Sequence, residues 1–184
     1  MALASGARSP EEQSAALHAR ALDERVQRHL DRAIADDTEA IKLKPDDEQA
    51  FVDRATTYAY WGNINAAIAD LDTAIGLKPD DITALIDRGA IYAARHDYGP
   101  ALTDLNAAVK AQPDNLGAIL NRAAAYHGAG DNDKAIADLD TVIKQRPTLA
   151  GAYYDRGNAW RDKNNLQRAL ADYSTAIRLK PDYA

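Results

Sequence analysis

Apolar residues along this chain recur at helical rather than strand spacing. Ile64, Ala67, Ile68, Leu71, Ala74 and Ile75 stand three or four residues apart, which lines one face of an α-helix. The run is bounded by Gly62-Asn63, where glycine can take the left-handed conformation that ends a helix and Asn can cap the next, and by Lys78-Pro79-Asp80. Proline forbids continuation, and the Asp after it is placed to cap the following helix. A second helical run, from about Gln49 to Trp61, precedes the break. Equivalent breaks fall at His96-Asp97, Gly130-Asp131 and Asn164-Asn165, so the local unit is a helical hairpin. Pro100 lies in the first turn of its helix, where it removes no intrahelical bond, and Ser9-Pro10-Glu11-Glu12 predicts a helix start with a capping box.

The hairpins repeat. Pro45, Pro79, Pro113, Pro147 and Pro181 follow one another at intervals of 34 residues, each closing a tail such as Ala-Ile-Lys-Leu-Lys-Pro-Asp (40–46). The expected units are an N-terminal extension (1–13), a degenerate first repeat (14–47) and four further repeats (48–81, 82–115, 116–149 and 150–183). Small residues form one column at Ala21, Ala55, Gly89, Ala123 and Gly157 and another at Ala33, Ala67, Ala101, Ala135 and Ala169. Large residues fill complementary columns, Tyr58/Tyr92/Tyr126/Trp160 and Leu17/Phe51/Leu85/Ile119/Tyr153. Alternation of large and small side chains is what a packed interior requires, so these aromatics read as core and not as a cofactor site.

Period, small-residue columns, an aromatic near the end of the first helix and a closing proline together resemble the tetratricopeptide repeat family. The stretch Tyr153-Tyr154-Asp155-Arg156-Gly157-Asn158-Ala159-Trp160 followed by Ala169-Leu170-Ala171-Asp172-Tyr173 carries the likeness best. The resemblance implies an all-α fold, a right-handed superhelical solenoid of helix-turn-helix hairpins whose first helices line a concave face that binds peptide segments. The first repeat departs most, with Glu24 in the aromatic column and Asp37 where Leu71, Leu105, Leu139 and Tyr173 stand elsewhere. It reads as a cap presenting one wet face.

The stripe of each first helix beside its core stripe is the candidate groove. It holds Val52, Thr56 and Tyr60, then Ile86 and Ala90, then Leu120, Ala124 and His127, and finally Tyr154, Asn158 and Arg161. The row Val52, Ile86, Leu120 and Tyr154 is expected on an open face, where contiguous apolar surface marks a partner site; coverage by neighbouring first helices, or by residues 1–13, is the alternative. The lysine–asparagine–arginine clamp with which family members grip chaperone tails is missing, since Val52/Thr56, Asp87 and Gly117/Asn121 occupy its places. A hydrophobic or aromatic peptide anchored near Asn158 and Arg161 is the expected ligand.

Charge adds a ladder. Arg20, Arg54, Arg88, Arg122 and Arg156 each precede an Asp by sixteen residues, at Asp36, Asp70, Asp104, Asp138 and Asp172. An antiparallel hairpin brings such pairs together, which predicts a bidentate structural ion pair in every repeat, each contributing ~1 kcal/mol or less where partly exposed. Composition supports helix, with 39 Ala, four Val and one Phe among 184 residues. A net charge of −6 argues against capture of nucleic acid, and no apolar run is long enough for membrane insertion. With no cysteine, thiolate metal sites and disulfides are excluded. His18, His29, His96 and His127 show no metal-binding spacing, Asp131-Asn132-Asp133 reads as a helix cap, and no phosphate loop or nucleophile elbow occurs, so neither enzyme activity nor a cofactor is expected.

The reading is therefore a non-enzymatic module that binds a protein or peptide partner. Its alternatives are the regulatory or substrate-presenting array of a larger enzyme, or a self-associating scaffold. Asp182-Tyr183-Ala184 looks like the start of a further repeat, so the last hairpin is expected either to continue or to form a homo-oligomer. The cytoplasm is the expected compartment; Ala2-Leu3-Ala4 resembles a signal-peptidase remnant and makes export the alternative.

Overall fold

The computed structural model describes residues 9–181. Among these residues it contains ten α-helices: α1 (Pro10–Val26), α2 (Leu30–Leu43), α3 (Glu48–Tyr60), α4 (Ile64–Leu77), α5 (Ile82–Ala94), α6 (Tyr98–Ala111), α7 (Leu116–Gly128), α8 (Asn132–Gln145), α9 (Ala150–Asp162) and α10 (Leu166–Leu179). Within a hairpin the contacts nest as antiparallel helices require. Arg54 meets Asp70 nearer the turn, while Lys78 reaches back to Glu48 at the open end, 3.1 Å away. Two compact units result, residues 1–84 and 85–184. In the first, α1 packs on α2, α2 on α3 and α3 on α4; in the second, α6 to α10 pack each on the next, and α7 also touches α9. Among the described residues no helix is long and apolar enough to cross a membrane.

Local chemistry explains the boundaries. The predicted capping box forms, Ser9 Oγ accepting from the Glu12 amide and Glu12 accepting from the Ser9 amide, so α1 starts at Pro10, inside the stretch assigned to the extension. First helices end on a left-handed residue, Gly62 and Gly130 at φ +84° and +83°, and Arg28, His96 and Asn164 near +60°. The amide that follows then returns to the carbonyl of the aromatic column, as from Asn63 to Tyr58 and Asp131 to Tyr126. The caps after the prolines fall one residue later than expected. Asp81 and Asn115, and not Asp80 and Asp114, accept from the amides of Ala84 and Ala118, because the residue right after proline is still in the turn.

The columns meet where helices approach closely. Ala33, Ala67, Ala101, Ala135 and Ala169 are all buried. A Cβ on Gly89 would lie 2.7 Å from Leu105 Cγ, and one on Gly157 would lie 2.7 Å from the Tyr173 ring. Glycine at these sites is therefore a packing requirement, whereas Gly76 on α4 has open space around it. Gly76→Ala is expected to stabilise the protein by about 0.5–1 kcal/mol, the ordinary helix-propensity gain. Gly89→Ala should reverse the sign, since overpacking of about 1–3 kcal/mol exceeds that gain; urea melts of the two variants decide it.

One expectation fails in the first repeat. Asp37 does not form a wet face: it is 1% exposed, on the inner side of α2 where the later repeats carry leucine or, in the last, tyrosine. His18 lies between Asp37 (3.4 Å) and Asp53 (3.3 Å), and Arg25 holds the Asp53 carboxylate and carbonyl at 2.9 Å. A polar cluster from α1, α2 and α3 thus replaces the apolar plug, because a cap repeat still has a second hairpin stacked on its inner side.

Candidate partner-binding face

In every hairpin the first helix is fixed to the second by the arginine column. Both Nε and a terminal nitrogen of Arg54, Arg88, Arg122 and Arg156 reach the two oxygens of Asp70, Asp104, Asp138 and Asp172 at 2.7–2.8 Å. Arg20 and Asp36 make the same fork at 2.5 Å, with the guanidinium much more open to water. Hydrogen bonding to the carboxylates raises the pKa of Arg54, Arg122 and Arg156 above its usual value. Sequence reasoning missed the remaining nitrogen. Nη1 of Arg54 donates to Thr38 Oγ1 (3.0 Å), that of Arg122 to Asn106 Oδ1 (3.2 Å) and that of Arg156 to Asp140 Oδ1 (2.5 Å). Each acceptor sits sixteen residues before its arginine, on the preceding hairpin, so one guanidinium ties two repeats together. The polar column Thr38, Asp72, Asn106, Asp140 was the available signal.

With the first helices so held, the candidate groove residues divide sharply. In the first unit Val52 is only 2% exposed and is a packing residue, a correction to the open apolar row. Thr56 is half-buried with its hydroxyl bonded to the Val52 carbonyl, and Tyr60 is exposed at the helix end. In the second unit Ile86, Ala90, Leu120, His127 and Asn158 are half-buried, while Ala124, Tyr154 and Arg161 are exposed. Leu120 packs against the core around Ile119 and Leu139. The expected continuous hydrophobic row is therefore broken, by burial at Val52 and by packing on the core around Ile119 and Leu139 at Leu120.

Among the hollows of the second unit, two of about 280 Å³ each hold candidate groove residues. One is lined by Ala90, Ala93, Ala94, His96, Tyr98, Asn121 and Ala124. Its edge depends on Gly128, because a Cβ there would sit 2.4 Å from the Tyr98 ring. The other is lined by Tyr154, Asn158, Arg161, Tyr173, Ala176 and Ile177. Here the Tyr154 and Tyr173 rings stand 5.7 Å apart, and Tyr173 Oη donates to Asn158 Oδ1 at 2.9 Å. Arg161 brings two guanidinium nitrogens to Oδ1 of Asp162, whose Oδ2 bonds His127 at 2.9 Å, and these bonds, His127's first, hold the Asp162 pKa below its usual value. Of the predicted groove residues, Tyr154, Asn158 and Arg161 share one hollow and Ala90 and Ala124 the other. Tyr173 and Ile177 come from a second helix, which a first-helix stripe could not reveal. Among the described residues no three His, Asp or Glu side chains gather as a metal site.

Tandem antiparallel hairpins, tied through their arginines and leaving shallow hollows on their first helices, define a helical-repeat module for protein–protein interaction. The chain belongs to the tetratricopeptide repeat family, whose model matches residues 52–116 and 120–184. Searched against curated proteins, the chain finds no match. Among solved structures it is similar to MamA from Desulfovibrio magneticus RS-1 (18% identity, 94% of this chain and 97% of that one, TM-score 0.87). Another MamA structure is 22% identical over 94% and 96% of the two chains, with a TM-score of 0.82. YrrB, described as a TPR protein with an unusual peptide-binding site, is 22% identical over 91% and 86%, with a TM-score of 0.79.

Proposed function

We propose that this chain is a non-enzymatic receptor for a peptide segment, which it holds on the first helices of the second unit. The hollow at Tyr154 carries the reading: Tyr154, Tyr173, Ala176 and Ile177 supply apolar walls for one large side chain, while Asn158 and Arg161 form a polar rim for the peptide backbone. Small side chains at Ala90, Ala93, Ala94 and Ala124 in the second hollow let a backbone approach closely. The missing carboxylate clamp turns the preference towards an apolar or aromatic anchor and away from a charged tail. Membership of an interaction-module family and likeness to YrrB support the same reading.

A random peptide library selected on the full chain tests it. Enriched sequences are expected to share an aromatic or large aliphatic residue and to bind the Tyr154→Ala variant at least tenfold more weakly. Peptides that bind Tyr154→Ala as well as wild type, or a selection with no enrichment, would remove the hollow as the anchor.

A further inference from the structure

A further hollow in the second unit, of about 320 Å³, is lined by Asp140, Arg156, Trp160, Arg168, Ala171 and Asp172. It shares no residue with the Tyr154 hollow. Nor does its opening depend on what packs against α10. Lys134 and Ala137 hold the places of Arg168 and Ala171 on α8, and both stay exposed although α9 packs on that helix.

One cation is held here without a counter-charge. The Arg168 guanidinium lies 4.5 Å from the centre of the Trp160 ring, and among the described residues it has no hydrogen-bond or ion-pair partner. Stacking fixes the plane of the fork while its N–H edge stays free for an acceptor. The preceding repeat does not offer this. There Lys134 lies 5.2 Å from the centre of the Tyr126 ring, but its ammonium is taken by Asp131 at 2.6 Å. Asn165 replaces that aspartate, and its neutral side chain caps α10 by accepting from the Arg168 amide at 3.2 Å.

One carboxylate oxygen is free as well. Asp140 Oδ1 accepts from Arg156 Nη1 at 2.5 Å, Oδ2 has no partner among the described residues, and the side chain is 56% exposed. Arg156 gives its other bonds to Asp172. Two arginines thus face two aspartates, and the hollow as a whole is neutral. An anion alone would gain Arg168 but meet Asp140, and a cation alone the reverse; a ligand carrying both charges satisfies both ends. We infer that this hollow is a docking site for a mixed-charge segment of a partner protein, with an acidic side chain on the Arg168 fork and a basic one on Asp140.

The test titrates the full chain with acetyl-Glu-(Ala)n-Lys-amide peptides, n running from zero to three, and follows the Trp160 indole N–H by NMR. Trp61, in the first unit, is the internal reference. At least one peptide is expected to shift Trp160 saturably, and replacing either its Glu or its Lys by Gln should weaken binding at least threefold. Arg168→Gln should erase the preference for Glu, and Asp140→Asn the preference for Lys. Asn is tolerated at that position, since Asn106 takes the equivalent bond from Arg122. Tyr154→Ala should leave these peptides bound, so the two binding sites stand or fall separately. No saturable shift, equal binding of either Gln-substituted peptide, or a preference that survives in its variant overturns the inference. So does tighter binding of inorganic phosphate than of any peptide, which would make the hollow a plain anion site.

Discussion

Arg88→Leu is expected to destabilise the protein by about 3 kcal/mol, more than the exposed-pair value its sequence pattern implied. The difference lies in the acceptor: Asp104 is 4% exposed and takes both of its bonds from Arg88 at 2.8 Å. Removing the guanidinium leaves a buried carboxylate with neither water nor counter-charge, and breaking such a pair typically costs about 3–5 kcal/mol; partial access of water to Arg88 brings the figure to the lower end. The double variant Arg88→Leu/Asp104→Leu should recover most of the loss, because two apolar groups of similar volume have nothing left to desolvate. The more open Arg20→Leu should cost less. Urea melts followed by circular dichroism measure all three, and an Arg88→Leu midpoint equal to wild type would refute the account. Since Arg88 lies outside the Tyr154 hollow, selected peptides should still bind the folded variant.

Asp37→Leu should do the opposite and raise stability at pH 8 by about 2–3 kcal/mol. Burial pushes the Asp37 carboxyl up to about 6, with His18 and Arg25 pulling it down and Asp53 pushing it further up. An acid whose folded pKa lies above its unfolded value of about 3.9 binds its proton more tightly in the native state. Its contribution is therefore favourable at low pH and is lost as pH rises from about 4 to about 6, by at most about 3 kcal/mol for a shift of about two units. Other carboxylates add slopes of their own, so the measurement is the difference between wild type and variant. That difference should grow across this window and then stay flat from pH 6.5 to 8. A difference independent of pH between 4 and 8 would show that Asp37 is not charged and buried in the native state.

Much of the fold could be read from the chain alone. The 34-residue proline period, the glycine and asparagine breaks and the alanine columns located the hairpins, because they report local rules of capping, backbone freedom and helix approach. The sixteen-residue Arg–Asp spacing was legible for the same reason, since both partners lie in one hairpin. The inter-repeat acceptors at Thr38, Asn106 and Asp140 escaped notice because their meaning depends on how one hairpin lies on the next. Tyr154, Asn158 and Arg161 could be named from a helical stripe, whereas Tyr173 and Ile177, which complete their hollow, stand on another helix.

Periodicity assigns a residue to a face of its own helix, and that is what the sequence by itself determined here: ten helices among the described residues, their pairing, their core columns and their ion pairs. Whether a face is then open or covered depends on which neighbour packs against it. Val52 and Tyr154 occupy equivalent positions in the pattern, yet one is buried and the other exposed. Asp37 took the place of a core leucine without becoming a surface residue. These outcomes belong to the stacking of successive hairpins, where burial comes from residues distant in sequence, so only the tertiary structure could decide them.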